Sequence, residues 1–199
     1  MVRQVFEGGR PLTYRHAILW GPRYTSDMGT SLLVSEQEYL TGSYEPDCEF
    51  DDGILLERNV GEQPHSILEA AFGSFFFERR KRFRIRVLTE QRIRIAPRKY
   101  RIPDVCVYLQ PVRDDPVLST PPFIAIEILS PEDRMSRVRK KIDEYLAFGV
   151  SYVWLIDPKG RRADVYTASA IYEAKDGVLR TEDPAIEVPL ADLFQALDD

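Results

Sequence analysis

The apolar pattern is densest at Phe123-Ile-Ala-Ile-Glu-Ile-Leu-Ser-Pro131. An aliphatic run of that length predicts a strand buried on both faces of a sheet. Met135 to Phe148 follows with a helical period, and Tyr152-Val-Trp-Leu-Ile-Asp157 is a second apolar run. Strand, helix and strand at this spacing predict a βαβ crossover with two parallel strands side by side. Upstream, Ile67, Leu68, Ala71, Phe72, Phe75 and Phe76 recur at helical spacing and predict a helix over Pro64 to Lys81. Arg82 to Leu88 and Arg92 to Ile95 alternate apolar with basic residues, which predicts two half-buried strands joined as a hairpin at Thr89-Glu90-Gln91. A third strand is expected over Pro103-Asp-Val-Cys-Val-Tyr-Leu109, since proline is tolerated at a strand's first position.

Shorter signals complete the outline. Ser35 and Glu38 form a capping-box pattern that opens a short helix. Asp52-Gly53 predicts the turn of a hairpin between Cys48 and Glu57, and Asp176-Gly177 predicts another. Pro189 to Leu197 reads as a closing helix. Residues 1–27 show no clear period, and the expected organisation is an N-terminal extension over 1–30 followed by one α/β domain over 31–199.

Composition narrows the partners. No apolar run approaches the roughly 20 residues of a membrane span, and no basic segment followed by an apolar stretch marks a secretory leader. With Cys48 and Cys106 matching no metal-ligand spacing, free thiols and a reducing, cytoplasmic setting are expected. Two histidines and two cysteines make a zinc site of the His/Cys kind a poor expectation. The net charge of −5 argues against general nucleic-acid binding, yet eleven basic residues and a single acid lie between Arg79 and Arg101. Such asymmetry matters more than the total for an anionic partner. Arg82, Arg84, Arg86, Arg92 and Arg94 of the expected hairpin are the candidate phosphate contacts, with two solvated strand faces as the plain alternative.

Glu127 interrupts the central aliphatic strand. A buried carboxylate requires a cation, a proton or a metal. Asp104 opens the preceding strand. On the following helix, at ~100° per residue, Met135, Val138, Ile142 and Tyr145 define the buried face, with Lys141 about 60° from Val138 and Lys140 on the solvated side. Two carboxylates and an amine at a sheet edge suit metal-assisted hydrolysis of a phosphodiester. Asp104, Glu127 and the backbone carbonyl of Ile128 offer oxygen ligands to Mg²⁺ or Mn²⁺, and Lys141 would orient water or stabilise phosphoryl charge. Each residue alone has an ordinary role: Asp104 as a cap or a partner of Arg101, Glu127 as a partner of a hairpin arginine, Lys141 as a surface lysine. His65 is expected in a surface or capping position, Ser130 in the turn, and Tyr145 and Trp154 in the core.

Arg101-Ile-Pro-Asp104, Ala125-Ile-Glu127-Ile-Leu-Ser130-Pro, Lys141-Ile-Asp-Glu-Tyr145, Gly149-Val150 and Tyr152-Val-Trp154-Leu-Ile-Asp157-Pro together resemble the signature of the Uma-type putative restriction endonucleases, of the PD-(D/E)XK nuclease superfamily. The resemblance runs from about Ser31 to Phe194 and takes in the acidic hairpin Glu49-Phe-Asp-Asp-Gly53. It implies a restriction-endonuclease-like fold, a mixed central sheet flanked by helices, with Asp104 and Glu127 as metal ligands and Glu49 as an additional acid. Leu129 stands where the superfamily lysine is usual, a role the resemblance transfers to Lys141. Arg137 stands where relatives often carry an acid. The expectation is a Mg²⁺-dependent DNA endonuclease acting as a homodimer. The alternative is a nuclease-fold module without catalysis that binds DNA or a protein partner.

Overall fold

The computed structural model describes residues 33–59 and 61–198, so the extension expected over 1–30 lies outside the described residues. Among them no helix is long and apolar enough to cross a membrane. Ser35 caps α1 (Glu36–Thr41) through the expected capping box. β1 (Cys48–Asp51) and β2 (Ile54–Glu57) form the expected hairpin, its turn made by Asp52 and Gly53, both at positive φ. The long helix α2 (Gln63–Phe83) carries Pro64 in its first turn and buries Leu68, Phe72 and Phe76.

The six-stranded sheet is mixed. Its order is β10 (Ile171–Glu173), β9 (Arg162–Tyr166), β8 (Tyr152–Asp157), β7 (Ile124–Ile128), β6 (Val105–Leu109) and β3 (Ile85–Thr89). Only β7 and β8 run parallel, joined through α3 (Met135–Phe148), which is the predicted crossover. Gly149 ends α3 in the left-handed conformation at φ 104° and donates to carbonyls of the last turn. A four-stranded sheet, β2-β1-β5-β4, adds β4 (Ile93–Ala96) and β5 (Lys99–Arg101).

Period-two alternation sorts the six-stranded sheet into two faces. Val105 and Val107, Ile124, Ile126 and Ile128, and Trp154 and Ile156 pack with α2 and with α4 (Leu190–Gln195). Cys106 and Tyr108, Ala125, and Val153 and Leu155 pack with Ile142 and Tyr145 of α3 and with Ile93 and Ile95 of β4. By the same alternation Asp104 and Glu127 fall on the face that α3 covers.

Several expectations are corrected. The basic hairpin does not form. Arg82 lies in the last turn of α2 and Arg84 is its left-handed cap, while β3 pairs with β6 and β4 pairs with β5. The reason lies in the cores: Ile85 and Val87 pack on the α2 side, Ile93 and Ile95 on the α3 side. At Glu90, in positive φ and donating to the Asp104 carbonyl, the chain leaves one sheet for the other. Met135, placed on the buried face of α3 by its period, is 40% exposed at the helix start. The hairpin expected at Asp176-Gly177 instead turns after Thr181, where β11 (Val178–Thr181) pairs with β12 (Ile186–Pro189).

Gly149→Ala puts a side chain at a φ that disfavours it. The new Cβ meets Pro121 Cγ at an ordinary 3.5 Å, so the expected loss is the conformational term, about 1 kcal/mol in urea unfolding. An unchanged midpoint would show that the crossover does not depend on this cap.

Candidate active site at the end of the six-stranded sheet

Asp104 stands just before β6, with its side chain 6% exposed. Its carboxylate is fully engaged. Arg58 Nη2 lies 2.8 Å from Oδ1, while Oδ2 accepts the Ile128 amide at 2.7 Å and faces His65 Nε2 at 3.2 Å. Arg58 follows β2 and reaches Glu90 with its other nitrogen at 3.0 Å. His65 comes from the first turn of α2. Burial alone would raise the Asp104 carboxyl, but the bond from His65 and the charges of Lys141, His65 and Arg58 outweigh it and hold the group below the ordinary carboxylate value. His65 moves the other way. Burial opposes its protonation, and the hydrogen bond to Asp104 with the charges of Asp104 and Glu69 overcomes that and raises it.

Glu127 accepts from Lys141 Nζ at 2.8 Å on Oε2 and from the Tyr145 hydroxyl at 2.8 Å on Oε1. Both donors sit on α3, one turn apart. Lys141 Nζ also lies 2.7 Å from Glu49 Oε1 and donates to the Ile102 carbonyl at 3.2 Å. Glu49, in β1, additionally accepts the Ile102 amide at 3.1 Å. The Glu127 carboxyl is pushed up to about 7. Burial is the main cause, with Asp104 and Glu49 adding to it and Lys141 opposing. Burial, more than its neighbours' charge, is thus what keeps a proton on Glu127.

These side chains line one cleft of about 700 Å³, open to solvent, in which Glu49, Arg58, His65, Asp104, Glu127 and Lys141 meet. Ile128 lines it too. Among the described residues no group of three or more His, Cys, Asp or Glu side chains is arranged to hold a metal ion. Asp104, Glu127 and a peptide carbonyl remain as oxygen donors, and with water and phosphate oxygens that is a set a hard divalent cation accepts. A cation beside Glu127 would offset the burial that raises its carboxyl.

The structure thus brings Asp104, Glu127, Lys141, Ile128 and Glu49 together. It does not bring Arg82, Arg84, Arg86, Arg92 or Arg94 to the cleft. Arg84 and Arg86 sit beside the Leu109 end of β6, about 13 Å along the strand from the Asp104 end. Arg86 faces Asp114, and Arg92 lies over the Tyr39 ring at 4.4 Å. Two cleft residues were not legible as such. His65, expected as a surface or capping residue, contacts Asp104, and Arg58, rather than Arg101, is the guanidinium beside that acid. Arg101 instead joins Asp51 at 3.1 Å and Glu144 at 2.7 Å. No periodic signal marks either Arg58 or His65. The nearest clue is that Arg58 directly follows the strand paired with the one carrying Glu49.

The fold and this cleft define a restriction-endonuclease-like α/β protein. The chain belongs to the Uma2 family, described as putative restriction endonuclease, which matches residues 37–196. It is similar in fold to the crystal structure of a putative nuclease belonging to DUF820 from Anabaena variabilis ATCC 29413. The TM-score is 0.71 at 24% identity, over 81% of this chain and 97% of that one. A weaker likeness, TM-score 0.36 at 17% identity, is to the cryo-EM structure of the DrdV–DNA complex, over 65% of this chain and 10% of that one. No curated protein matches the chain.

The raised Glu127 group has a testable sign. The folded protein holds this proton to higher pH than the ordinary value of 4.5, so Glu127 lowers stability as pH rises from 4.5 to about 7. Followed by carbon NMR of the side-chain carboxyl, the midpoint is expected near 7 in the wild type and lower in Asp104→Asn, where a repelling charge is gone. A midpoint unmoved by Asp104→Asn would mean that the two acids do not share a field.

Proposed function

We propose that this chain is a divalent-metal-dependent endonuclease that hydrolyses DNA phosphodiester bonds at the Asp104–Glu127–Lys141 cleft. The observation that carries the reading is the meeting of two carboxylates and an amine from three separate elements in one solvent-open cleft, in a chain of the Uma2 family.

Asp104, Glu127 and the Ile128 carbonyl would hold Mg²⁺ or Mn²⁺. When bound, such an ion polarises the phosphate and lowers the pKa of a coordinated water. The remaining work belongs to the chain. Arg58 and His65 fix the orientation of the Asp104 carboxylate. Tyr145 fixes that of Glu127. Lys141 sits where its ammonium can orient the attacking water or meet the charge that grows on the phosphoryl oxygens. Glu49 keeps Lys141 protonated and in place: burial opposes that proton, and Glu127, Glu49 and Asp104 together outweigh it. Cutting both strands of a duplex with one such cleft per chain calls for a two-fold homodimer.

A second reading, a nuclease fold that binds DNA or a protein partner without cutting it, draws on a different observation. All four oxygens of Asp104 and Glu127 are already met by groups of the chain itself. A metal titration separates the two, because a binding module need show no Mg²⁺ or Mn²⁺ affinity that depends on Glu127.

Supercoiled plasmid incubated with the protein and Mg²⁺ or Mn²⁺ is expected to be nicked and linearised. Asp104→Ala, Glu127→Ala and Lys141→Ala should each slow this on the order of 100-fold or more. A wild type that leaves plasmid intact with either ion, as Asp104→Ala does, removes the endonuclease reading.

A further inference from the structure

The helix that supplies Lys141 carries two more cations on the same stripe. Arg137 and Arg134 precede it by four and seven positions, which places them within about 60° of it and at roughly 6 and 10 Å along the axis. All three line the cleft. Lys141 is buried among acids, but Arg134 and Arg137 are exposed, and no carboxylate of the described residues lies within ion-pair reach of either. Arg137 donates only to the Glu57 carbonyl, at 2.8 Å, so its charge is not compensated. Glu57, Glu132 and Asp133 share this rim without pairing with either guanidinium, Asp133 being held by the Ser130 amide and Asn59. The first turn of α3 contains no acid, and Arg134, its N-cap residue, makes no side-chain capping bond. The helix end therefore meets negative charge only from Glu132 and Asp133, which precede the N-cap.

From this we infer that Arg137 and Arg134 hold the backbone phosphates that flank the phosphate presented to Lys141, making α3 the track along which one nucleic-acid strand enters the cleft. The inference rests on the nuclease reading for the identity of the strand. It assigns the phosphate contacts to a helix face at the cleft and not to Arg82–Arg94. Guanidinium pairs suit this task because their planar forks match phosphate oxygens in two-point contact. A stripe with such spacing fixes the position of the backbone and reads no sequence.

The experiment is binding, kept separate from cleavage. A fluorescent duplex of about 20 base pairs is titrated with full-length protein, without divalent metal, across about 50 to 200 mM salt. The variants are Arg134→Ala/Arg137→Ala, the charge-conserving Arg134→Lys/Arg137→Lys, and Arg84→Ala/Arg94→Ala away from the cleft. The alanine pair at the cleft is expected to weaken binding and to reduce the slope of log K against log salt by about 1.8, that is ~0.9 for each phosphate no longer neutralised. The lysine pair should retain most of the slope, which excludes misfolding as the cause, and Arg84→Ala/Arg94→Ala should leave it unchanged. A slope that ignores the cleft pair, or one that falls with Arg84→Ala/Arg94→Ala instead, overturns the assignment even if plasmid is cut. A wild type that binds no duplex overturns it as well. The expected slopes in a protein that cuts nothing would support the track and remove the endonuclease.

Discussion

The Lys141 ammonium, shared between Glu49 and Glu127 within sight of Asp104, sets the terms for this end of the molecule. Three carboxylates meet there at the mouth of an aliphatic sheet. Each would cost several kcal/mol if left unpaired in such surroundings. Alternation along β7 turns Glu127 towards α3, so only that helix, or a chain segment beside it, can supply the compensating groups. α3 does so twice, with Lys141 and Tyr145. The two-residue connection from Gly149 to β8 and the turn that follows β7 then hold the helix at the height where those side chains reach the acid.

A second layer of charge holds this arrangement from behind. Arg101, 2% exposed, links Asp51 of β1 to Glu144 of α3, and Lys99 joins the same two acids at 3.2 and 3.0 Å. Glu144 lies three residues beyond Lys141. The network therefore clamps the helix to the four-stranded sheet next to the site. Partly buried ion pairs of this kind add little net stability compared with a hydrophobic contact, but removing one partner of a buried pair is costly. They join β1, which carries Glu49, to α3, which carries Lys141, across segments far apart in sequence.

Much of this is legible in the chain's own pattern. The aliphatic run with one acid, the period of α3 and the second apolar run define the crossover, and the helical angle singles out Lys141 over Lys140. The parity of Asp104 with Cys106 and Tyr108, and of Glu127 with Ala125, would also have put both acids on one face. The failures share a cause. Alternation in Arg82–Leu88 and Arg92–Ile95 reports which side chains are buried, not which core buries them. Two neighbouring strands that serve different cores look the same in sequence as a hairpin. Arg58 and His65 escape for another reason: contacts made by single polar residues across long sequence separations leave no period.

The three contacts of Lys141 have a consequence for what the position tolerates. Of its three ammonium protons, hydrogen bonds to Glu127 and the Ile102 carbonyl use two, while Glu49 Oε1 stands 2.7 Å away as an ion-pair partner. A guanidinium spreads its charge over a flat fork with donors in one plane, and does not place a compact point charge between two carboxylates. Positive charge alone is thus not the specification at this point of the helix. The geometry asks for a compact charge held between Glu49 and Glu127, and the lysine ammonium is built as one.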